Sequence, residues 1–143
     1  MSEDYREFTA HGHPSGFRSP FVHLLGIELE VEEEGYALLR MPVEERHLNW
    51  RGAVHGGVIC SLVDMAASRA LGTIIRSSSR QPVGTLDLNV TFVRPGRGPF
   101  LTAEGRVLHI GRSVAVGEVS VYRDGHQTVA RGRVTYILGK EDA

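Results

Sequence analysis

The chain holds a single cysteine, Cys60, among 143 residues. No disulfide can therefore form within it, and a reducing compartment suits it. Charge of either sign is almost absent in the balance: 16 Lys and Arg stand against 17 Asp and Glu, leaving −1. No global positive field recruits nucleic acid or an anionic membrane surface, so neither is expected as a partner. Local arginines can still meet a phosphorylated ligand. Long apolar runs are missing too; none approaches the roughly 18 residues that a bilayer span requires. The first residues carry Glu3, Asp4 and Glu7 where a signal peptide would have a basic flank and an apolar stretch. A soluble cytoplasmic protein is the expectation.

What is present is ordinary for a globular protein, with 41% hydrophobic and 23% charged residues. The length fits one domain with a substantial core. Residues 1–20, rich in Gly, His, Pro and Ser, read as an irregular arm, and residues 21–139 as a single domain. Gly26 to Val31 alternates apolar and acidic side chains at the period of a half-exposed strand. Glu32 to Gly35 reads as a turn, Tyr36 to Val43 as the returning strand, and Glu44 to Ala53 as a polar connection. One helix is predicted from Gly56 to about Ile75, with Ile59, Leu62, Val63, Ala66 and Ala70 on one stripe. After a Ser/Arg loop come four strand-like runs: Val83 to Val93, Phe100 to Ile110, Ser113 to Arg123 and His126 to Leu138. Asp124-Gly125 between the last two is a strong hairpin signal. Two strands, one long helix and four strands, with no second helix for parallel crossovers, point to an α+β fold in which an antiparallel sheet of five or six strands packs on the helix.

The face of that helix opposite the apolar stripe carries Gly57, Ser61, Asp64 and Ser68, all small. Asp64 is the only carboxylate between Glu45 and Asp87. A buried carboxylate is costly unless it is paired, hydrogen-bonded or functional; a solvated Asp on an exposed face is the other reading, and spacing leaves both open. At the helix entry, Gly52, Gly56 and Gly57 flank Ala53-Val54-His55. First-turn amides have no partner inside the helix and lie at the positive end of its dipole. They suit a carbonyl oxygen that gains negative charge during attack, although paired glycines also make a plain tight turn. His55 alone reads better as a hydrogen-bonded structural histidine than as a base.

Gly57 and Asp64 lie seven residues apart, roughly 10 Å along a helix axis. A base must act within about 3 Å of the reacting atom. One helix cannot hold a carbonyl at its N-terminus and attack it with its own Asp64. Two such helices, antiparallel across a two-fold axis, can lend their termini to each other. If both elements are catalytic, the site is shared between subunits.

Asn49-Trp50-Arg51-Gly52-Ala53-Val54-His55-Gly56-Gly57, followed by Ser61-Leu62-Val63-Asp64, resembles the PaaI-type hotdog thioesterases. The likeness continues through Gly84-Thr85-Leu86-Asp87-Leu88-Asn89-Val90-Thr91-Phe92, Arg94-Pro95, Gly111-Arg112-Ser113 and Asp124-Gly125, and covers about Phe21 to Leu138. His-Gly-Gly alone is weak, but the whole set at this spacing is specific. The resemblance implies a hotdog fold, a curved antiparallel sheet wrapped around a central helix, in homodimers that share active sites and assemble into a homotetramer. It implies an acyl-CoA substrate and hydrolysis of its thioester to free acid and CoA. In these roles Asn49 and the backbone amide of Gly56 or Gly57 polarise the carbonyl, Asp64 of the other subunit is nucleophile or general base, and Thr85 orients water. His55 supports the loop. A thioester is already activated and its thiolate leaves readily, so neither metal nor cofactor is expected.

Arg76, Arg80, Arg94, Arg97 and Arg112, with Gly111, lie in polar stretches suited to CoA phosphates. The acyl group is open between aromatic (phenylacetyl or hydroxybenzoyl) and medium-chain. A non-catalytic acyl-CoA sensor is the main rival; Asn49, Gly57, Asp64 and Thr85 together argue against it. A hotdog dehydratase would need a His and a carboxylate converging on substrate carbons, whereas this Asp follows the thioesterase pattern. A metal site at His11 and His13 has no assigned third ligand.

Overall fold

A computed structural model describes residues 19–75 and 82–139; the arm up to residue 18, with His11 and His13, and the loop holding Arg76 and Arg80 lie outside them. Six strands form one antiparallel sheet: β1 (Glu28–Glu33), β2 (Tyr36–Pro42), β3 (Pro82–Phe92), β4 (Phe100–Ile110), β5 (Val114–Arg123) and β6 (Gln127–Leu138), in the order β1-β2-β4-β5-β6-β3. The long helix, α2 (Gly56–Ile75), touches all six strands, which wrap around it as a hotdog fold. By length and composition this 20-residue helix would suit a membrane span, although Asp64 and Arg69 interrupt its apolar run. Here it is the core helix: Ile59, Leu62, Val63, Ala66, Ala67 and Leu71 are buried in one cluster with Leu39, Met41, Leu101, Val119 and Val134.

A short helix, α1 (Pro20–Leu25), precedes the sheet where an irregular arm and then a strand from Gly26 were expected. Its signals are local. The Ser19 side chain accepts from the Val22 N–H, Pro20 occupies the first turn, and Gly26 closes it at φ 70. Fully buried His47 ties this end to the polar connection. Its Nδ1 accepts from the Glu44 N–H at 2.9 Å, and its Nε2 lies 2.8 Å from the Leu25 carbonyl.

Two β-bulges on the edge strands decide which polar groups meet the helix. Leu29 pairs with buried Leu39, but the register then shifts, so Val31 faces Leu38 and Glu32 faces buried Ala37. The extra residue turns Glu32 inward, where its carboxylate meets the Arg69 guanidinium at 2.6 Å. The alternation in sequence had suggested Val31 for that side. On β3 the register shifts between Thr85 and Asp87. Thr85 stands opposite buried Tyr136 on the helix side, whereas Asp87, Asn89 and Thr91 pair with Thr135, Arg133 and Arg131 on the outer face.

The helix sits so close to the sheet that Gly105 faces the backbone of Ala66, and Gly132 faces the Val63 side chain. A Cβ at Gly105 would strike the Ala66 carbonyl, which is backbone and cannot swing away. Gly105→Ala is therefore expected to destabilise the fold by about 1–3 kcal/mol or more, as overpacking does. Urea unfolding monitored by circular dichroism measures it; a midpoint equal to wild type would contradict this account of the helix–sheet contact.

Candidate active site

The connection from Leu48 to His55 is built by the Asn49 side chain. Leu48 and Val54 form an isolated antiparallel bridge. Between them, Asn49 Oδ1 accepts from the Arg51 N–H at 2.9 Å and the Ala53 N–H at 3.2 Å. Gly52, at φ 74, closes the turn by donating to the Asn49 carbonyl. With its oxygen held by two donors, the Asn49 amide keeps an NH₂ group from which nothing accepts among the described residues.

The helix entry follows at once. His55 Nδ1 accepts from the Gly57 N–H at 2.9 Å, capping the first turn. Of the two glycine amides that the sequence offered as oxyanion donors, Gly57 is thus engaged by His55. The Gly56 N–H has no acceptor among the described residues. Phe92 lies against Gly56 from the end of β3.

Asp64 lies two turns further along the unbroken helix and is partly exposed. The Thr85 hydroxyl donates to its Oδ1 at 2.8 Å. The Tyr136 phenol stands 2.7 Å from the Asp64 main-chain carbonyl and 3.0 Å from the same Oδ1. Burial, then the Asp64 charge, push the Tyr136 phenol well above its usual ionisation range. Tyr136 was not among the residues singled out in the sequence. In Val134-Thr135-Tyr136-Ile137-Leu138 it reads as one more aromatic in a strand, and only the register across from Thr85 reveals it.

Asp64 stands eight positions beyond Gly56 in the helix, roughly 12 Å of axial rise. Within one chain, then, the Asn49–Gly56 donors and the Asp64–Thr85–Tyr136 group stand apart. The arginines divide in the same way. Arg97 reaches the Arg51 carbonyl at 3.5 Å, and Arg94 donates to the Thr128 carbonyl at 2.7 Å, both at the Asn49 end of the sheet. Exposed Arg112 sits in the β4–β5 turn with Gly111, near the far end of β6, where the Leu138 N–H donates to the Ser113 carbonyl. A polar depression of about 450 Å³, lined by Asp87, Asn89, Thr91, Glu118, Arg131 and Arg133, occupies the outer face of the sheet, away from Asp64. No three His, Cys, Asp or Glu side chains converge among the described residues.

The profile of the thioesterase superfamily matches residues 51–130. The medium/long-chain acyl-CoA thioesterase YigI of Salmonella typhimurium is 35% identical over 136 residues, covering 86% of this chain and 88% of its own. Acyl-coenzyme A thioesterase 13 of Pongo abelii is 32% identical over 83% of this chain and 85% of its own. Among solved structures, the Escherichia coli PaaI protein from the phenylacetic acid degradation operon superposes with a TM-score of 0.72 at 28% identity, over 81% of this chain and 86% of that one.

Proposed function

The chain belongs to the thioesterase superfamily, as a PaaI-type hotdog acyl-CoA thioesterase, and from that premise we propose that it hydrolyses medium-chain acyl-CoA with Asp64 as nucleophile or general base. The observation that carries this reading is the Asp64 carboxylate, whose Oδ1 is held by Thr85 and Tyr136 while Oδ2 has no partner among the described residues. A thioester carbonyl needs no further activation than an oxyanion contact and a carboxylate that attacks it or activates water. The Asn49 NH₂ group and the Gly56 N–H supply the oxyanion contact. The Thr85 hydroxyl donates its hydrogen to Asp64 and keeps its oxygen to orient a water.

These groups act together in a homodimer, in which the Asn49–Gly56 donors of one chain serve the Asp64 of the other. Its proposed interface is the free edge of β3, where Leu86, Phe92 and Val93 are more than half exposed. A long apolar edge of this kind is a template for pairing with another chain, and a two-fold axis repeats the contact to give two equivalent sites. The same axis would bring Arg112 of one subunit toward Arg94 and Arg97 of the other, giving the CoA phosphates charge from both. Pairing of two dimers would complete a homotetramer. A cytoplasmic location fits the single thiol, Cys60.

Medium-chain substrates are favoured because YigI, 35% identical, is a medium/long-chain acyl-CoA thioesterase. Aromatic thioesters of the phenylacetyl or hydroxybenzoyl type are the second reading, from the likeness to PaaI. Free-thiol release across a panel of acyl-CoAs should give the highest kcat/KM between C8 and C12, unchanged by chelator. A preference for phenylacetyl-CoA would select the second reading, and loss of activity in chelator would overturn the metal-free chemistry.

A further inference from the structure

We propose that Tyr136 is a positioning residue for the hydrolysis: its hydroxyl fastens the Asp64 side chain to its own turn of helix and leaves one carboxylate oxygen to face the substrate. This rests on the reading of Asp64 given above.

An aspartate carboxylate, on a single methylene, turns freely about its last torsion, where the energy profile is broad and two-fold. Two donors remove that freedom here. Thr85 Oγ1 lies 2.8 Å and Tyr136 Oη 3.0 Å from the same oxygen, Oδ1. The single phenolic hydrogen is shared with the Asp64 main-chain carbonyl at 2.7 Å, so the strand, the helix backbone and the carboxylate meet at one hydroxyl. Oδ2 is left for the reaction. Tyr136 is 4% exposed, and with its ionisation raised by burial and by the Asp64 charge it keeps its proton. It therefore remains a donor and does not compete with Asp64 as a base.

Any buried tyrosine hydroxyl needs some acceptor. Two features distinguish this one. Besides the Asp64 main-chain carbonyl it reaches the oxygen that Thr85 already holds, and Thr85 is on that face only because β3 bulges after it. The arrangement spends a bulge and two hydroxyls on the orientation of a single carboxylate, which is how a site is held within the narrow tolerance that attack requires.

The test is the kinetics of Tyr136→Phe, which keeps the ring and deletes the hydroxyl. The expected result is a fall in kcat of about 10- to 100-fold with KM within about twofold, since misplacement of about an ångström can cost 10²-fold. Because Thr85 and Tyr136 hold one oxygen, the Thr85→Ala/Tyr136→Phe double variant should lose less than the product of the two single losses. A purely structural tyrosine would lower the melting temperature and leave kcat per folded enzyme unchanged. An unchanged kcat in Tyr136→Phe, or single losses that multiply, overturns the proposal. Should Tyr136→Phe not fold, 3-fluorotyrosine at this position keeps the size and alters the donor; kcat should move at constant KM, and a constant kcat counts against the role. Asp64→Asn is assayed beside them. Full turnover there overturns both readings, whereas an inactive Asp64→Asn with an unaffected Tyr136→Phe overturns only this one.

Discussion

Asp64→Asn should lose about 10²–10⁴-fold in turnover, the range that a positioned acid–base group contributes. The change is nearly isosteric, so the Thr85 and Tyr136 hydroxyls, which reach Oδ1 at 2.8 and 3.0 Å, still find an oxygen to bond. What disappears is the negative charge and the lone pair that attacks the carbonyl or deprotonates water. Folding should survive, because the residue is partly exposed and its hydrogen bonds can be kept. Circular dichroism and thiol-release kinetics on the same preparation separate the two effects. Turnover near wild type in a folded protein would make Asp64 a bystander.

Asn49→Asp has the second largest expected effect, about 10²–10³-fold in kcat, as for loss of one oxyanion donor. Alanine would be a poorer choice. Asn49 Oδ1 holds the Arg51 and Ala53 amides, so truncation would loosen the loop as well as remove a donor. Aspartate keeps that acceptor and replaces only the NH₂ group, with an oxygen that repels the developing charge. Kinetics following thiol release, with the melting temperature as a control on the loop, measure the effect. A folded Asn49→Asp enzyme of normal kcat would remove Asn49 from the oxyanion contact.

The elements themselves were legible in the sequence because their signals are local. Asp124-Gly125 promised a tight hairpin, and both residues adopt positive φ, 54° and 75°, between β5 and β6. The stripe from Ile59 to Ala70 marked the core helix. The short helix α1 left its mark in Ser19, Pro20 and Gly26, but these stood at the edge of a polar stretch that read as an irregular arm. What alternation could not convey is where it breaks. The bulge at Glu30 brings Glu32 to Arg69, and the one at Leu86 brings Thr85 to Asp64; an unbroken period of two would have put Thr85 on the face opposite Leu88, away from the helix. Thr85 entered the expected site only through family resemblance. Tyr136 did not enter at all, because its partner lies 72 residues away and no spacing rule links them. Arg69 escaped notice for a similar reason: its burial depends on a carboxylate that the first bulge supplies.

The central claim, that one chain's Asn49 and Gly56 serve the other chain's Asp64, is tested most directly by co-expressing the two inactive variants Asp64→Asn and Asn49→Asp and purifying the mixed dimers. In each mixed dimer one site carries both lesions and the other carries neither. Purified mixed dimers should therefore recover about half of wild-type turnover, and an unfractionated equal mixture about a quarter, from two symmetric sites. Mixed dimers as inactive as their parents would contradict the shared site and require both groups to act within one chain.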